Sequence, residues 1–162
     1  DTSLAVEDHL AAAGIDTVRT PVGDVYVAAA ASESGVAFGG EPSGAWIWPD
    51  ESLCPDGPLA ACRLAALAAE RPLSERAGAV ETYPLRRTSV EVEQREATMA
   101  TVRERADRYE AVTTLDGVRV ERGDAWFLVR ASGTEPVVRI TAEARGPDRL
   151  DDVFTEARRL LR

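Results

Sequence analysis

An incomplete α/β layer, a mixed sheet with helices, followed by a smaller α+β domain with an antiparallel sheet packed by helices, is the fold the sequence predicts. Three observations predict it. Helix and strand patterns alternate through residues 1–72, whereas residues 73–87 show no sustained period and are interrupted by Gly78 and Pro84. Residues 88–162 then read as strand, helix, three strands and a final amphipathic helix, with turn residues between the strands. The expected division is therefore 1–72, a linker at 73–87, and 88–162.

Each element has a local reason. Ser3 can cap a helix over Leu4–Ala13, striped with Leu4, Ala5, Leu10 and Ala11, and Gly14 supplies a left-handed stop. Ile15–Arg19 reads as a short strand, Val22 into the alanine run at Ala28–Ala31 as a helix, and Val36–Phe38 as a second strand. Gly39 to Gly44 is a loop dense in breakers that leads into a strand at Ala45–Trp48. Pro58 suits a first helical turn, and Leu59, Cys62, Leu64, Ala66 and Leu67 carry an amphipathic helix to Arg71, where Pro72 ends it.

Beyond the linker, Ser89–Glu93 alternates as a strand, and Glu96–Tyr109 is helical with Glu104 and Arg108 at the i, i+4 offset. Three strands follow at Gly117–Arg122, Ala125–Arg130 and Val137–Ala144, with Asp116-Gly117 and Gly123-Asp124 as turn chemistry. Asp148 can cap the last helix, whose apolar face is Leu150, Val153, Phe154, Ala157, Leu160 and Leu161.

The 162 residues are 44% hydrophobic and 29% charged, with no apolar run near the roughly 20 residues of a membrane span. No export signal is visible at the start, so a cytoplasmic location is expected. There is no lysine: arginine supplies all 19 basic residues against 28 acidic ones, for a net charge of −9. Such a surface repels nucleic acid and anionic lipid, so neither nucleic acid nor membrane is an expected partner. It suits concentrated salt, where self-repulsion is screened, and a halophilic source is the expectation. Cys54 and Cys62 lack the spacing of a zinc site or a disulfide framework and are expected as buried thiols. His9 is the single histidine and sits on a helix, which argues against a histidine-dependent triad.

The chemistry-bearing stretch is Arg130-Ala131-Ser132-Gly133-Thr134-Glu135-Pro136, between two strands and followed by Arg139. A phosphate dianion is matched by a forked guanidinium, rotatable hydroxyls and backbone N–H groups that a glycine lets converge. Arg130, Ser132, Gly133 and Thr134 supply these, and Glu135 is expected to face away and hold backbone or Arg139. An ordinary Ser-Gly-Thr turn with an exposed arginine is the competing reading. In the loop Gly39 to Gly44, Glu41 and Ser43 can read adjacent sugar hydroxyls, or the loop is a glycine-rich turn with a solvated carboxylate.

With Gly40-Glu41-Pro42-Ser43-Gly44, Asp56-Gly57 opening a helix, Arg71-Pro72-Leu73-Ser74-Glu75, and the loop Arg130 to Pro136 with Trp126 upstream, the chain resembles the α-D-phosphohexomutase family. Its members are the phosphomannomutases, phosphoglucomutases and phosphoglucosamine mutases. The resemblance spans essentially the whole sequence, from inside the third domain through the fourth, and implies a four-domain enzyme. Such an enzyme moves a phosphoryl group between O1 and O6 of a hexose through a phosphoserine and a hexose 1,6-bisphosphate intermediate, with Mg2+ held in the second domain.

Carried onto this sequence, the resemblance makes Glu41 and Ser43 sugar-hydroxyl readers and Arg130, Ser132, Gly133 and Thr134 the phosphate loop. Thr20 to Asp24 resembles the family's other third-domain loop, with Arg19 beside it as a further ligand contact. The expected partners are a hexose phosphate substrate and N-terminal catalytic domains of the same protein. The nucleophile setting and the Asp-x-Asp-x-Asp metal run are absent from this sequence, and Ala45 stands where many members carry histidine. A C-terminal part, inactive alone and holding neither phosphoserine nor metal site, is therefore expected. The alternative is a stand-alone, non-catalytic module that binds sugar phosphates.

Overall fold

A computed structural model describes residues 2–162. The chain forms two compact units, the first ending at Thr82 and the second running Tyr83–Arg162.

In the first unit, α1 (Leu4–Ala12) starts where the Ser3 hydroxyl accepts the Ala5 N–H at 3.0 Å. It ends before Gly14, whose φ of 72° is the left-handed stop that the sequence predicts. Helix α2 (Asp24–Ala31) packs Val27 and Ala31 on Ile47, the small core of this unit. A two-stranded antiparallel sheet joins β1 (Gly39–Gly40) to β2 (Trp46–Ile47). Gly39 is needed there, because a Cβ would come within 2.7 Å of Val27 Cγ1. Helix α3 (Gly57–Glu70) is capped by Asp56, whose carboxylate accepts the Leu59 N–H at 2.8 Å, and α4 (Leu73–Gly78) follows Pro72.

Three expectations for this unit need correction. Residues 15–19 and 36–38 are irregular, not strands. A strand needs a neighbour to complete its ladder, and among the described residues neither segment has one. Ile15 and Val18 consequently lie 51% and 80% exposed. Cys54 and Cys62 are free but exposed rather than buried: Cys54 lies in the loop before α3, and α3, which carries Cys62, buries only Ala60. The stretch 73–87, expected as a linker, contains α4 and the first residues of a strand.

The second unit holds β3 (Leu85–Glu91), α5 (Arg95–Ala106), β4 (Val112–Thr113), β5 (Val118–Glu121), β6 (Ala125–Ala131), β7 (Val137–Ala144) and α6 (Pro147–Arg159). The strands form one antiparallel sheet in the order β3-β7-β6-β5-β4. Alternation along β6 sends Ala125, Phe127, Val129 and Ala131 to the face covered by α5 and α6. They meet Met99, Val102 and Ala106 of α5 and Leu150, Val153, Phe154 and Ala157 of α6.

The opposite face carries Trp126, Leu128 and Arg130, and it is polar as well as buried. The Trp126 indole N–H donates to the Glu143 carboxylate at 2.7 Å, and the Arg119 guanidinium stacks 3.8 Å from the indole centroid. Helix α6 is capped at Gly146, with Pro147 opening it and Asp148 in its first turn, so Asp148 is not the cap. Arg108 lies beyond α5 and donates to the Tyr109 hydroxyl rather than pairing with Glu104.

Candidate functional site

The β6–β7 connection is the most chemically equipped loop, and its hydrogen bonds explain its shape. The Ser132 N–H donates to the Val137 carbonyl at 2.9 Å and closes the hairpin. The Glu135 N–H donates to the Ser132 hydroxyl at 3.2 Å, and the Val137 N–H to the Glu135 carbonyl at 2.8 Å. Ser132 is itself buried, while Gly133 and Thr134 stand exposed at the tip. Among the described residues no protein group accepts from the Gly133 N–H, the Thr134 N–H or the Thr134 hydroxyl. Backbone donors left open in an exposed, glycine-bearing turn are what an oxyanion can occupy.

Charge is arranged around the same loop. Arg130 and Arg139 lie directly opposite each other in the β6–β7 register, a pairing of like charges that is unfavourable unless each is compensated. Both are. Asp116 holds the half-buried Arg130 at 2.9 Å, and Glu135 holds Arg139 at 2.6 Å. Glu135 thus does what the sequence predicts of it. The Asp116 contact uses one amino group of Arg130, so the rest of the fork can donate elsewhere. From the other side, Arg95 at the start of α5 donates to the Ser132 carbonyl and, at 3.1 Å, to the Glu135 carbonyl. A cavity of about 510 Å³ lies there, walled by Arg95, Glu96, Met99, Arg103 and residues 131–133.

Arg130, Ser132, Gly133 and Thr134 are therefore on one hairpin, Arg130 at the penultimate position of β6 and the others in the loop. Three residues around them had no signal of function in the sequence. Arg95 is 37 positions from Ser132, and no local pattern links the two. Asp116 and Gly117 read only as turn chemistry, yet this turn grips Arg130 and presses on β6. A Cβ at Gly117 would lie 2.5 Å from the Val129 carbonyl oxygen and 2.9 Å from Arg130 Cβ, and its φ is 88°.

The first unit contains the other candidate residues. Glu41 Oε1 accepts the Gly23 N–H at 2.9 Å, which ties the 39–44 loop to the start of α2 and to the loop at 20–24. The Gly44 N–H returns to the Glu41 carbonyl at 3.0 Å, and the Glu41 N–H donates to the Ala45 carbonyl at 3.1 Å. Among the described residues Glu41 Oε2 has no protein donor, so half of this carboxylate is open. Ser43 is exposed and accepts a long contact from the Ala45 N–H at 3.4 Å. Arg19 is engaged elsewhere, in an ion pair at 2.5 Å with Glu7 of α1. Phe38, Trp46 and Trp48 form an aromatic cluster beside the same loop, with ring centroids 5.2–6.4 Å apart. No group of three or more His, Cys, Asp or Glu side chains comes together as a metal-ligand set among the described residues. No helix among them is long and apolar enough to cross a membrane.

Comparison with known proteins agrees with this two-part layout. Residues 1–83 match the family model described as phosphoglucomutase/phosphomannomutase, alpha/beta/alpha domain III, and residues 88–160 match the C-terminal domain of the same enzymes. The chain belongs to the phosphoglucomutase/phosphomannomutase family.

Among its relatives, a protein of Methanopyrus kandleri named "Probable phosphoglucosamine mutase" is 46% identical over 161 residues, covering 96% of this chain and 36% of its own length. A protein of the same name from Methanosarcina acetivorans is 41% identical, covering 100% of this chain and 37% of its own length. The chain thus spans little more than a third of these relatives.

Of solved structures, a family member from Burkholderia thailandensis superposes with a TM-score of 0.83 at 24% identity, covering 98% of this chain and 35% of that one. The N-acetylphosphoglucosamine mutase of Aspergillus fumigatus, solved with GlcNAc-6P and magnesium, gives 0.62 at 18%, covering 97% and 39%. At these identities the two structures speak for the fold.

Proposed function

We propose that this chain supplies the sugar-hydroxyl and distal-phosphate contacts of a phosphohexomutase that interconverts hexose 1-phosphate and hexose 6-phosphate. One observation carries the reading: the Gly133 and Thr134 N–H groups and the Thr134 hydroxyl have no protein partner among the described residues, beside an Arg130 fork engaged only on one side. These are the donors a phosphate dianion requires. Ser132 braces the loop through its hydroxyl oxygen and retains a proton to donate. Glu41, fixed by Gly23, turns its second oxygen to sugar hydroxyls, and the exposed Ser43 adds a further polar contact. Arg19, paired with Glu7 through one amino group, is a further candidate contact.

A mutase of this kind must present both ends of one sugar to a single phosphoserine, so its distal clamp must accept a phosphate from either end. A loop of backbone donors and a guanidinium does so, because it reads the phosphate and not the ring. The phosphoserine and the Mg2+ that stabilises its chemistry belong, on this reading, to other domains of the parent protein, with hexose 1,6-bisphosphate as the intermediate. The names of the relatives favour glucosamine phosphate as the hexose. Free, exposed Cys54 and Cys62 suit a reducing cytoplasmic setting.

The test is calorimetric titration of the chain with glucosamine 6-phosphate and inorganic phosphate. Binding of both is expected, and Arg130→Ala weakens both by about 10- to 100-fold, the worth of charge-assisted hydrogen bonds. In the parent enzyme the same substitution raises KM and lowers kcat. Equal affinity in wild type and Arg130→Ala refutes the assignment.

A further inference from the structure

Arg95 occupies the first turn of α5, where the helix dipole disfavours a cation, and the N-cap residue Gln94 makes no side-chain capping bond. Its position does not serve the helix. Its guanidinium spans instead to the Ser132 and Glu135 carbonyls, the two ends of the exposed loop.

The Ser132 carbonyl shares a peptide unit with the Gly133 N–H. Because that unit is planar and trans, its C=O and N–H point in opposite directions. Drawing the carbonyl toward α5 therefore turns the Gly133 N–H away from α5. The Glu135 carbonyl, which also accepts the Val137 N–H, fixes the far end of the loop. The Pro136 carbonyl is held by the Val92 N–H at 3.0 Å, so three carbonyls of the loop are committed to the protein while the Gly133 and Thr134 donors stay open.

We infer that Arg95 is a positioning residue for phosphate binding: by bracketing the Ser132 and Glu135 carbonyls it presets the loop with the Gly133 N–H aimed at the anion. The inference rests on the reading of 130–134 as a phosphate loop. It assigns the cost of ordering that loop to a side chain that need not touch the ligand.

The experiment titrates the 162-residue chain with inorganic phosphate, reading the dissociation constant by calorimetry and the Gly133 amide by 15N–1H correlation spectra. In wild type, phosphate shifts the Gly133 amide. Arg95→Met weakens phosphate by about tenfold, the equivalent of one charge-assisted hydrogen bond, and moves the Gly133 resonance before phosphate is added. Both contacts come from a single amino nitrogen, Nη1, and in Arg95→Lys the ammonium keeps the charge but ends one bond short of that position, so phosphate weakens by about threefold.

Wild-type phosphate affinity and an unmoved Gly133 amide in Arg95→Met overturn the inference, and if Arg130→Ala still loses affinity the phosphate-loop reading stands without it. If wild type binds no phosphate, both fall. Should Arg95→Met fail to fold, the decision passes to Arg95→Lys, for which wild-type affinity counts against the inference and the threefold loss for it.

Discussion

Replacing Gly117 with alanine tests whether the turn before β5 holds the strand that carries Arg130. Two costs add. At φ 88° an L side chain pays about 1–2 kcal/mol for the left-handed region. The new Cβ also meets backbone, 2.5 Å from the Val129 oxygen and 3.0 Å from Arg130 Cα, which no rotamer change relieves. Overpacking of this kind costs about 1–3 kcal/mol. A loss of about 2–5 kcal/mol is expected in urea unfolding, and in a domain of this size each kcal/mol lowers Tm by about 4–8 °C.

Gly123→Ala separates the two costs, because Gly123 has φ 74° with nothing within 4 Å, so it should lose only the conformational part. Gly133→Ala, with open space and no positive φ, should stay within about 0.5 kcal/mol. The contact argument is wrong if Gly117→Ala and Gly123→Ala lose the same amount, and the turn's hold on Arg130 is wrong if Gly117→Ala keeps full phosphate affinity.

Trp126→Phe removes the indole donor to Glu143 inside a face where Trp126 is fully buried, and should cost about 2–4 kcal/mol in the same assay. A loss below about 1 kcal/mol would show that the bond contributes nothing. With a net charge of −9 and no lysine, the chain should gain several degrees of Tm as KCl rises from 0.1 to about 2 M, as screening shortens the Debye length to about 3 Å and below. A Tm that is flat or falling with salt would remove the case for salt adaptation.

The second unit was legible in the sequence wherever its pattern was complete. β7 alternates apolar and polar residues, β6 is an unbroken apolar run from Ala125 to Val129 bounded by turn residues, and α6 presents Leu150, Val153, Phe154 and Ala157 at helical spacing, so these elements lie where expected to within a residue or two. β3 begins four residues earlier than expected because Arg86 hides its inward position: its guanidinium lies 4.9 Å from the Phe154 ring and pairs with Asp151 at 2.5 Å. Two-residue β4 has too little length to carry a period. In the first unit, the short segment 15–19 and the apolar run 36–38 looked like strands, but pairing is a property of neighbours and not of the segment itself.

The hairpin loop proposed to hold phosphate was singled out by residue type. Its supports were not, because Arg95 and Asp116 reach it across 37 and 14 positions, a distance that local spacing does not encode.

The loop that gathers these donors is slung between β6, the central strand, and its neighbour β7, with β3 and β5 on either side of the pair. The β4 edge can open without touching it, whereas the Val92 N–H just after the β3 edge holds its Pro136 carbonyl, so fraying of β3 should expose that amide to solvent deuterium and loosen the loop with it. Within this unit the open donors of the loop are thus fixed to the sheet itself rather than to a free-swinging segment.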